Sequence, residues 1–384
     1  MTHATRVLHV QKVSGISGSE AHLLSVLPLL RARGWDARMV VLHEGEEGAA
    51  RFVAGLGERE VPVEALRMRL DLDPLAGARL LAAFRRQRPA ILHTHLVHAD
   101  LLALPAGVAA RVPLRLTTKH GFNDFRLRRG FALVDRSASR LAQVQIAISR
   151  GLAEHLAGVE GFDADEFEVV HYGIAAAPEA PPPPPEPRLA CVGRLIPIKG
   201  HDTLVRAVAA ARRDVPGLTL DVAGAGPLEE ELRSLARRLE LDDAVRFLGH
   251  VSPVAPLLES ALALVVPSRG EGFGMVALEA MERSRAVVAS AVGGLPELVA
   301  DGETGLLVPV GDVPALRDAL VTLASDPARA AAMGAAGRAR AVTAFAEERP
   351  ADRLDEIYRA ALARSSLSTA APASSASSRS HGAR

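Results

Sequence analysis

The sequence predicts an α/β protein made of two Rossmann-like domains, each with a doubly wound parallel sheet, that face a central cleft. Three observations support this fold class. The chain has 384 residues, a length typical of two domains. Short apolar runs alternate with amphipathic helical patterns, which favours parallel sheets. A proline-rich segment at residues 178–187 divides the alternating pattern into two halves.

The proline-rich segment sets the predicted domain boundaries. Consecutive prolines favour an extended polyproline helix, so we interpret residues 178–187 as a semi-rigid linker; a surface loop within one domain is the alternative. The N-terminal domain then covers residues 1–177 and the C-terminal domain residues 188–346. We expect a helix at residues 347–363 that packs back on the N-terminal domain. A disordered tail rich in Ser and Ala follows at residues 364–384.

Each domain contains six predicted strands. They lie at residues 7–10, 37–42, 90–93, 114–117, 144–148 and 168–171 in the N-terminal domain, and at residues 188–192, 218–223, 245–248, 262–266, 286–289 and 305–308 in the C-terminal domain. Ligands of open α/β sheets bind beyond the carboxyl ends of the strands. We therefore expect the functional residues in the loops that follow strands.

The overall composition argues against several classes of protein. The 45 basic and 45 acidic side chains cancel, so the charge gives no indication of a nucleic-acid partner. No apolar stretch approaches the roughly 18–20 residues that span a bilayer, and no leader precedes the first predicted strand. We expect a cytoplasmic protein and leave open a peripheral contact with the inner face of the membrane. The single cysteine, Cys191, lies in an apolar run and is interpreted as a core residue.

The densest group of candidate site residues follows a predicted strand of the C-terminal domain. Gly270, Gly272 and Gly274 relax the backbone just before a helix, whose N-terminal N–H groups suit an anion. Glu271 would repel a diphosphate from this turn, so we predict that it accepts hydrogen bonds from sugar hydroxyls. Glu279 could accept from a second set of hydroxyls, such as those of a ribose. Alternatively, both glutamates are ordinary solvated or helical residues.

Two cations occupy another loop of the C-terminal domain. Arg194 and Lys199 lie between one strand and the next helix and could clamp one diphosphate, unless they are simply solvated charges. A second turn, at Gly224 and Gly226, begins like a dinucleotide-binding fingerprint. Glu229 takes the place of the third glycine, so we interpret this turn as a strand-turn-helix joint and not as an NAD site.

Histidines are concentrated in the N-terminal half. His120 follows a predicted strand and precedes Gly121, where a residue facing the cleft is expected. The spacing of His93, His95 and His98 could bind a metal. No matching carboxylate or cysteine is evident in the sequence, so we predict no metal site there.

Two further features of the N-terminal half could contact a substrate. Gly18 lies in the loop between the first strand and helix, where a glycine would let a phosphate or sugar approach the backbone. An arginine-rich segment at residues 126–140 is either a solvated helix face or a surface for an anionic acceptor or acidic lipids.

Together these pieces resemble the family-4 glycosyltransferases, which are retaining enzymes of the GT-B fold. The resemblance covers residues 6–362 and departs from the commoner Gly-Gly form of its first piece, because Ser17 precedes Gly18. The pieces are Ser17-Gly18-Ser-Glu20, His120-Gly121, Val192-Gly-Arg194 with Lys199-Gly200, Glu271-Gly-Phe-Gly with Glu279, and Gly293-Gly-Leu-Pro-Glu297 before Asp301-Gly-Glu-Thr-Gly305.

The resemblance implies a role for the charged residues. Arg194 and Lys199 would hold the donor diphosphate, with Gly18 approaching it from the other domain. Glu271 would bind hydroxyls of the donor sugar, and Glu279 would bind the ribose. Similar enzymes need no divalent metal, because positive side chains and helix dipoles neutralise the leaving diphosphate.

The resemblance also implies contacts close to the reacting sugar. His120 would line the sugar pocket and assist the transition state. Backbone N–H groups of Phe273, Gly274 and Met275 would meet sugar or phosphate oxygens.

The predicted function is therefore retaining transfer of a hexosyl-type sugar from a nucleoside diphosphate sugar to an acceptor hydroxyl. No cofactor beyond this co-substrate is expected. The acceptor could be a saccharide, a lipid-linked molecule or a small metabolite, and neither the base nor the sugar of the donor is readable. Two alternatives are a nucleotide-sugar 2-epimerase, which needs no acceptor, and a non-catalytic nucleotide-sugar binding protein.

Overall fold

Two separate parallel sheets, each flanked by helices, form the framework of the chain, and they confirm the predicted fold class. The structure is a computed structural model that describes residues 4–122, 129–178 and 180–370.

The first sheet and its helices come from the N-terminal half. Its strands are β1 (Arg6–Lys12), β2 (Asp36–His43), β3 (Val63–Arg67), β4 (Ile91–His95), β5 (Leu114–Lys119), β6 (Val144–Ala147) and β7 (Phe167–Val169). The helices between them are α1 (Gly18–Ala32), α2 (Glu47–Gly57), α3 (Pro74–Gln87), α4 (Leu96–Ala109), α5 (Arg129–Ser139) and α6 (Arg150–Glu160).

The second sheet comes from the C-terminal half. Its strands are β8 (Arg188–Val192), β9 (Thr219–Ala223), β10 (Val245–Gly249), β11 (Ala263–Val266), β12 (Ala286–Ser290) and β13 (Gly305–Val308). The helices are α7 (His201–Ala211), α8 (Glu229–Arg238), α9 (Ala255–Glu259), α10 (Met275–Glu282), α11 (Leu295–Leu298), α12 (Val313–Ser325), α13 (Pro327–Ala344) and α14 (Glu348–Ala370).

The strand orders predict a crevice at the carboxyl ends of the strands in both sheets. The first sheet runs β3-β2-β1-β4-β5-β6-β7 and the second β10-β9-β8-β11-β12-β13. In each sheet the order reverses beside the first strand of the domain, at β1 and at β8. Ligands of such sheets bind outside the carboxyl ends of the strands at this reversal. The loops that follow β1, β4, β8 and β11 are therefore in position to form a site.

Every predicted strand has a counterpart, but one strand was missed. The strand β3 lies at the edge of the first sheet and pairs only with β2. Its sequence, Val-Glu-Ala-Leu-Arg, carries two charges and has no fully buried residue. An edge strand exposed in this way lacks the continuous apolar run that marks the central strands.

Within the connection between the two halves, the described residues 180–187 lie against the C-terminal domain. The buried side chain of Arg285 donates to the carbonyl of Pro181 at 2.9 Å. Just before the segment, the carbonyl of Ala177 accepts from Arg338 at 2.7 Å, and its N–H donates to Glu282 at 2.9 Å. These contacts tie the connection to one domain.

The helix α14 returns to the N-terminal half. Its side chains Leu354, Ile357 and Tyr358 are at most 4% exposed and belong to the apolar cluster beneath β1 and α1. Trp35 donates from Nε1 to Asp355 at 2.7 Å. The predicted tail began too early, because α14 continues to Ala370; the sequence has no proline or glycine that would end the helix sooner.

Among the helices that the structure describes, none has the length and apolar character required to cross a bilayer.

Because α14 completes the N-terminal core, Leu354→Ala is expected to lower the free energy of unfolding by about 2–5 kcal/mol, the cost of a cavity at a buried leucine. Fluorescence of Trp35, the one tryptophan, reports on this core during urea unfolding. The neighbouring variant Asp352→Ala is the control, since it removes only an exposed ion pair with Arg33 worth about 0–1 kcal/mol. Equal losses in the two variants would contradict the placement of α14.

Candidate active site in the interdomain cleft

A cleft of about 1320 Å³ lies between the two domains at the carboxyl ends of their sheets. Every site residue predicted from the sequence lines it. From the N-terminal domain these are Gly18 and His120, and from the C-terminal domain they are Arg194, Lys199, Glu271, Phe273, Gly274, Met275 and Glu279. Residues far apart in sequence thus share one cavity, which is the candidate active site.

Two loops of the C-terminal domain meet because a glycine leaves room between them. Gly200 has a φ of +66°, and a methyl group there would overlap the carbonyl oxygen of Pro267. The N–H of Arg269 donates to the carbonyl of Ile198 at 2.7 Å. The same arginine forms a two-pronged ion pair with Asp202 at 2.8 Å per bond. These contacts place the loop after β8 beside the loop after β11.

Lys199 and Glu271 form an ion pair at this junction. Lys199 Nζ donates to Glu271 Oε2 at 2.6 Å, and Ser268 donates to the same oxygen at 3.2 Å. Both charged side chains are largely buried, with 24% and 14% exposed. Glu271 is therefore neutralised by a neighbouring cation, which removes much of the repulsion that a diphosphate would meet at this turn.

Arg194, in contrast, has no partner among the described residues. Its side chain is exposed at the wall of the cleft. The loop that carries it is held by Gly224, whose φ of +144° lets the backbone approach Gly193 so closely that a methyl group would overlap its carbonyl oxygen. The turn predicted not to bind NAD thus packs against the arginine loop and leaves one cation free to meet an anion.

The glycine-rich turn before α10 presents backbone to the cleft. Gly274 precedes the helix with a φ of +105°, and the side chain of Phe273 is buried and packs edge-on against Tyr172 at 5.6 Å. A methyl group at Gly272 would lie 3.0 Å from the carbonyl oxygen of His120. The turn therefore faces the cleft with its main chain. The free backbone N–H groups at the start of α10 are of the kind that bind an anion.

Glu279 lies one turn further along α10, where it is largely withdrawn from water. Burial is the main cause that raises the pKa of Glu279 from 4.5 to about 7, and the nearby Arg283 opposes the rise. No described residue forms a hydrogen bond with this carboxyl group. A hydroxyl-bearing ligand would therefore meet an unpaired and partly protonated group.

His120 uses both ring nitrogens inside the protein. Its Nδ1 lies 2.5 Å from the hydroxyl of Tyr172 and its Nε2 lies 2.9 Å from Nδ1 of His95. Burial lowers the pKa of His120 well below its ordinary value of 6.5, with the neighbouring His22 adding to the effect. The ring is therefore a neutral, fixed part of the cleft wall.

The predicted histidine group is rearranged in the structure. His98 lies apart from the other two and contacts Asp71 at 3.5 Å. His9, which the sequence analysis missed, joins His93 and His95, and the three rings offer nitrogens within 4.8 Å of one another. The alternation of side chains along β1 and β4 was the available sequence signal for this group. Only the order of strands in the sheet shows that His9 is paired with His93. The expectation of no metal stays a prediction.

The loop that carries Gly18 faces the other domain. A methyl group at Gly18 would lie 3.5 Å from the side chain of Met275 and 3.6 Å from Tyr172. The helix behind it starts at a capping box, in which the N–H of Ser17 donates to Glu20 at 3.0 Å. The first predicted piece is thus opposite the N-terminus of α10, despite the serine before its glycine.

The predicted basic surface is only partly described. Arg126 and Arg128 lie outside the described residues. The guanidinium of Arg136 lies 5.8 Å from the ring centre of Phe162, so this arginine packs on an aromatic ring within its own domain.

Comparisons with known proteins cover both domains. Residues 16–177 match the family described as Glycosyltransferase Family 4, and residues 186–326 match the family described as Glycosyl transferases group 1. Alpha-maltose-1-phosphate synthase of Mycolicibacterium smegmatis is 33% identical over 307 residues, which is 70% of this chain and 78% of that protein.

A second relative matches a shorter stretch. The GDP-mannose-dependent alpha-(1-6)-phosphatidylinositol monomannoside mannosyltransferase of Mycobacterium tuberculosis is 42% identical over 161 residues, or 40% of this chain. The chain spans 42% of the length of that relative. Among solved structures, Anabaena HepE in complex with UDP and glucose has a TM-score of 0.78 at 22% identity, covering 93% of this chain and all of that one. This likeness shows the fold.

The raised pKa of Glu279 predicts a pH-dependent stability. A carboxyl group with a raised folded-state pKa stabilises the fold fully below its unfolded value of 4.5, and this contribution is lost as the pH rises through about 7. The amide of Glu279→Gln cannot ionise, so the variant does not lose this contribution. Between pH 4.5 and about 7 its free energy of unfolding should therefore rise relative to that of the wild type, by roughly 3 kcal/mol in total. Urea unfolding followed by circular dichroism measures the difference, and parallel pH profiles would contradict it.

Proposed function

Because the chain belongs to the family-4 and group 1 glycosyltransferases of the GT-B fold, we propose that it is a retaining, metal-independent hexosyltransferase. It takes the sugar from a nucleoside diphosphate donor and passes it to a hydroxyl of a saccharide, lipid-linked or small-molecule acceptor, in cell-envelope polysaccharide, glycolipid or small-metabolite glycosylation. The relatives described above are transferases or synthases, so they give no support to the epimerase or the binding protein as alternatives.

The observation that carries the proposal is the charge arrangement after β8 and β11. Lys199 is held by Glu271 at 2.6 Å, while the neighbouring Arg194 has no partner among the described residues. A diphosphate placed there meets the free guanidinium of Arg194 and the ammonium group of Lys199, which is paired with the carboxylate of Glu271. The nearby carboxylate then remains available for the hydroxyls of the donor sugar.

The two cations act most strongly in the transition state. Departure of the nucleoside diphosphate builds negative charge on the β-phosphate as the anomeric carbon becomes oxocarbenium-like. Arg194 and Lys199 bind this developing charge more tightly than the intact donor, so they lower the barrier without requiring a divalent ion. Backbone N–H groups at the start of α10 add positive potential on the same side.

Retention of configuration requires attack on the face from which the diphosphate leaves. In this proposal the departing phosphate takes the proton of the acceptor hydroxyl. Support comes from His120, whose two ring nitrogens are already bonded to Tyr172 and His95, so that neither is placed as a free general base.

The base of the donor is left open by the relatives. HepE was solved with UDP and glucose, whereas the mycobacterial mannosyltransferase is named for GDP-mannose. On the ribose side, the unpaired carboxyl group of Glu279 is the partner proposed for the ribose hydroxyls.

Lys199→Ala is expected to lower kcat/KM by about 10²–10³, the cost of one preorganised charge contact to the transition state. The measurement is sugar transfer with the best donor found. Arg212→Ala is the control, because Arg212 pairs with Asp243 on the outer surface, away from the cleft. Near-normal turnover in the lysine variant, with the folding of both variants verified, would count against the proposed donor site.

Donor binding can be tested without an acceptor. Thermal shifts against UDP-, GDP-, ADP- and TDP-sugars should single out one nucleotide, since a ligand at 100 times its Kd adds about 2.7 kcal/mol to stability. The shift should persist in EDTA and disappear in Lys199→Ala. A shift that EDTA abolishes would overturn metal independence while leaving donor binding in place.

A further inference from the structure

A continuous chain of buried rings leads from the cleft to the C-terminal helix. We call it the histidine chain, and it consists of Tyr172, His120, His95, His9, Tyr358, His93 and Thr118. Apart from His120, which faces the cleft, each of these residues is at most 4% exposed.

The first half of the histidine chain starts at the cleft. The hydroxyl of Tyr172 lies 2.5 Å from Nδ1 of His120. Nε2 of His120 lies 2.9 Å from Nδ1 of His95, and Nε2 of His95 lies 2.9 Å from Nδ1 of His9. Each ring is therefore joined through one nitrogen to the ring before it and through the other nitrogen to the ring after it.

The second half reaches α14. Nε2 of His9 lies 3.4 Å from the hydroxyl of Tyr358, which lies 2.6 Å from Nδ1 of His93. Nε2 of His93 ends the series 2.7 Å from the hydroxyl of Thr118. Tyr358 belongs to α14, so this helix is connected through the series with the wall of the cleft.

The imidazoles of the histidine chain are neutral. Burial lowers the pKa of His9 to about 3 and the pKa values of His93 and His95 well below their ordinary value of 6.5, with neighbouring histidines adding to the effect. A neutral imidazole has one N–H donor and one acceptor nitrogen. Each hydrogen bond of the series therefore needs one proton, and only one of its two partners can supply it.

These requirements couple the protonation of all four rings. If Tyr172 donates to Nδ1 of His120, then each ring in turn carries its proton on Nε2 and the last one donates to Thr118. If Thr118 donates instead, each ring carries its proton on Nδ1. A mixed pattern would face two N–H groups or two lone pairs against each other between histidines, or would leave the buried hydroxyl of Tyr358 or one of its ring partners unsatisfied, and each case is costly.

We propose that His95 and His9 are positioning residues that fix the tautomer and ring orientation of His120, and that Tyr358 extends this control to α14. The inference rests on the proposed function, because it assigns His120 to the sugar pocket. Its physical basis is the unbroken series of bonds, in which His120 cannot exchange its proton position without a change in every ring behind it.

A metal ion is the rival interpretation of the same rings. His9, His93 and His95 could offer nitrogens to one ion. Both nitrogens of His93 are already bonded, to Tyr358 and Thr118, and would have to leave these partners. The group contains no carboxylate among the described residues, so a divalent charge would be buried without compensation. The hydrogen-bond series uses the same atoms without that cost.

Two substitutions of His95 separate positioning from bulk. His95→Leu breaks the series, whereas the amide of His95→Gln can still accept from one neighbour and donate to the other. We expect the leucine variant to lower kcat roughly 10- to 100-fold, the effect of a misplaced catalytic contact, with KM for the donor nearly unchanged. The glutamine variant should recover most of the loss. Equal losses in both variants would overturn the proposal.

A third variant acts far from the substrate. Tyr358→Phe removes one hydroxyl oxygen from a helix that does not line the cleft. The substitution breaks the hydrogen-bond link that this hydroxyl forms between His9 and His93. It should lower kcat without a change in KM. The matched control is Trp35→Phe, which alters the ring packed 5.4 Å away and loses one hydrogen bond but leaves the series intact. A similar kcat in the two variants would contradict the role of Tyr358.

Long-range ¹H–¹⁵N correlation spectra of protein labelled at histidine read the tautomers directly. The proposal requires one tautomer throughout His9, His93, His95 and His120, and a mixture in His95→Leu. Mixed tautomers in the wild type would overturn it, as would a stoichiometric bound metal whose removal alters these signals. The spectra need no turnover, so failure of the inference is distinguishable from failure of the proposed transferase.

Discussion

The arrangement of the cleft depends on places where backbone meets backbone with no room for a side chain. A methyl group at Gly293 would overlap the carbonyl of Glu271, and one at Gly151, across the domain boundary, would overlap the carbonyl of Gly293. Ser149 of the N-terminal domain donates to the carbonyl of Gly272 at 2.6 Å. Because the turn that carries Glu271 is held from both domains, its side chain and its N–H groups have fixed positions relative to the opposite wall.

Charge is distributed in this rigid frame so that the two walls differ. On the C-terminal wall, the loops after β8 and β11 hold the free cation Arg194 and the ion pair of Lys199 with Glu271. On the N-terminal wall, the ring of His120 is neutral, because it is buried and hydrogen-bonded on both sides. The positive potential of the cleft is therefore concentrated at the loops after β8 and β11, where the proposed function places the leaving diphosphate.

Much of this could be predicted from local sequence, and the exceptions have physical causes. Strands buried on both faces show as apolar runs, so the central strands were found, whereas the exposed edge strand β3 was not. Gly18, Lys199 and Glu271 were predicted to face the cleft because they follow strands, and they line it in the structure. The partners Tyr172 and His9 could not be found, because their roles depend on which strands are neighbours, and the pairing of β1 with β4 is a property of the whole sheet.

The position of α14 has a consequence for synthesis on the ribosome. Domains usually fold in order as they emerge, the first before the second. Here the first domain lacks Leu354, Ile357 and Tyr358 until the second domain has been translated, because these core residues follow β13 and α13 in the sequence. The second domain can therefore be complete while the first still waits for α14, and a nascent chain that stops before α14 would carry an unfinished N-terminal wall of the cleft.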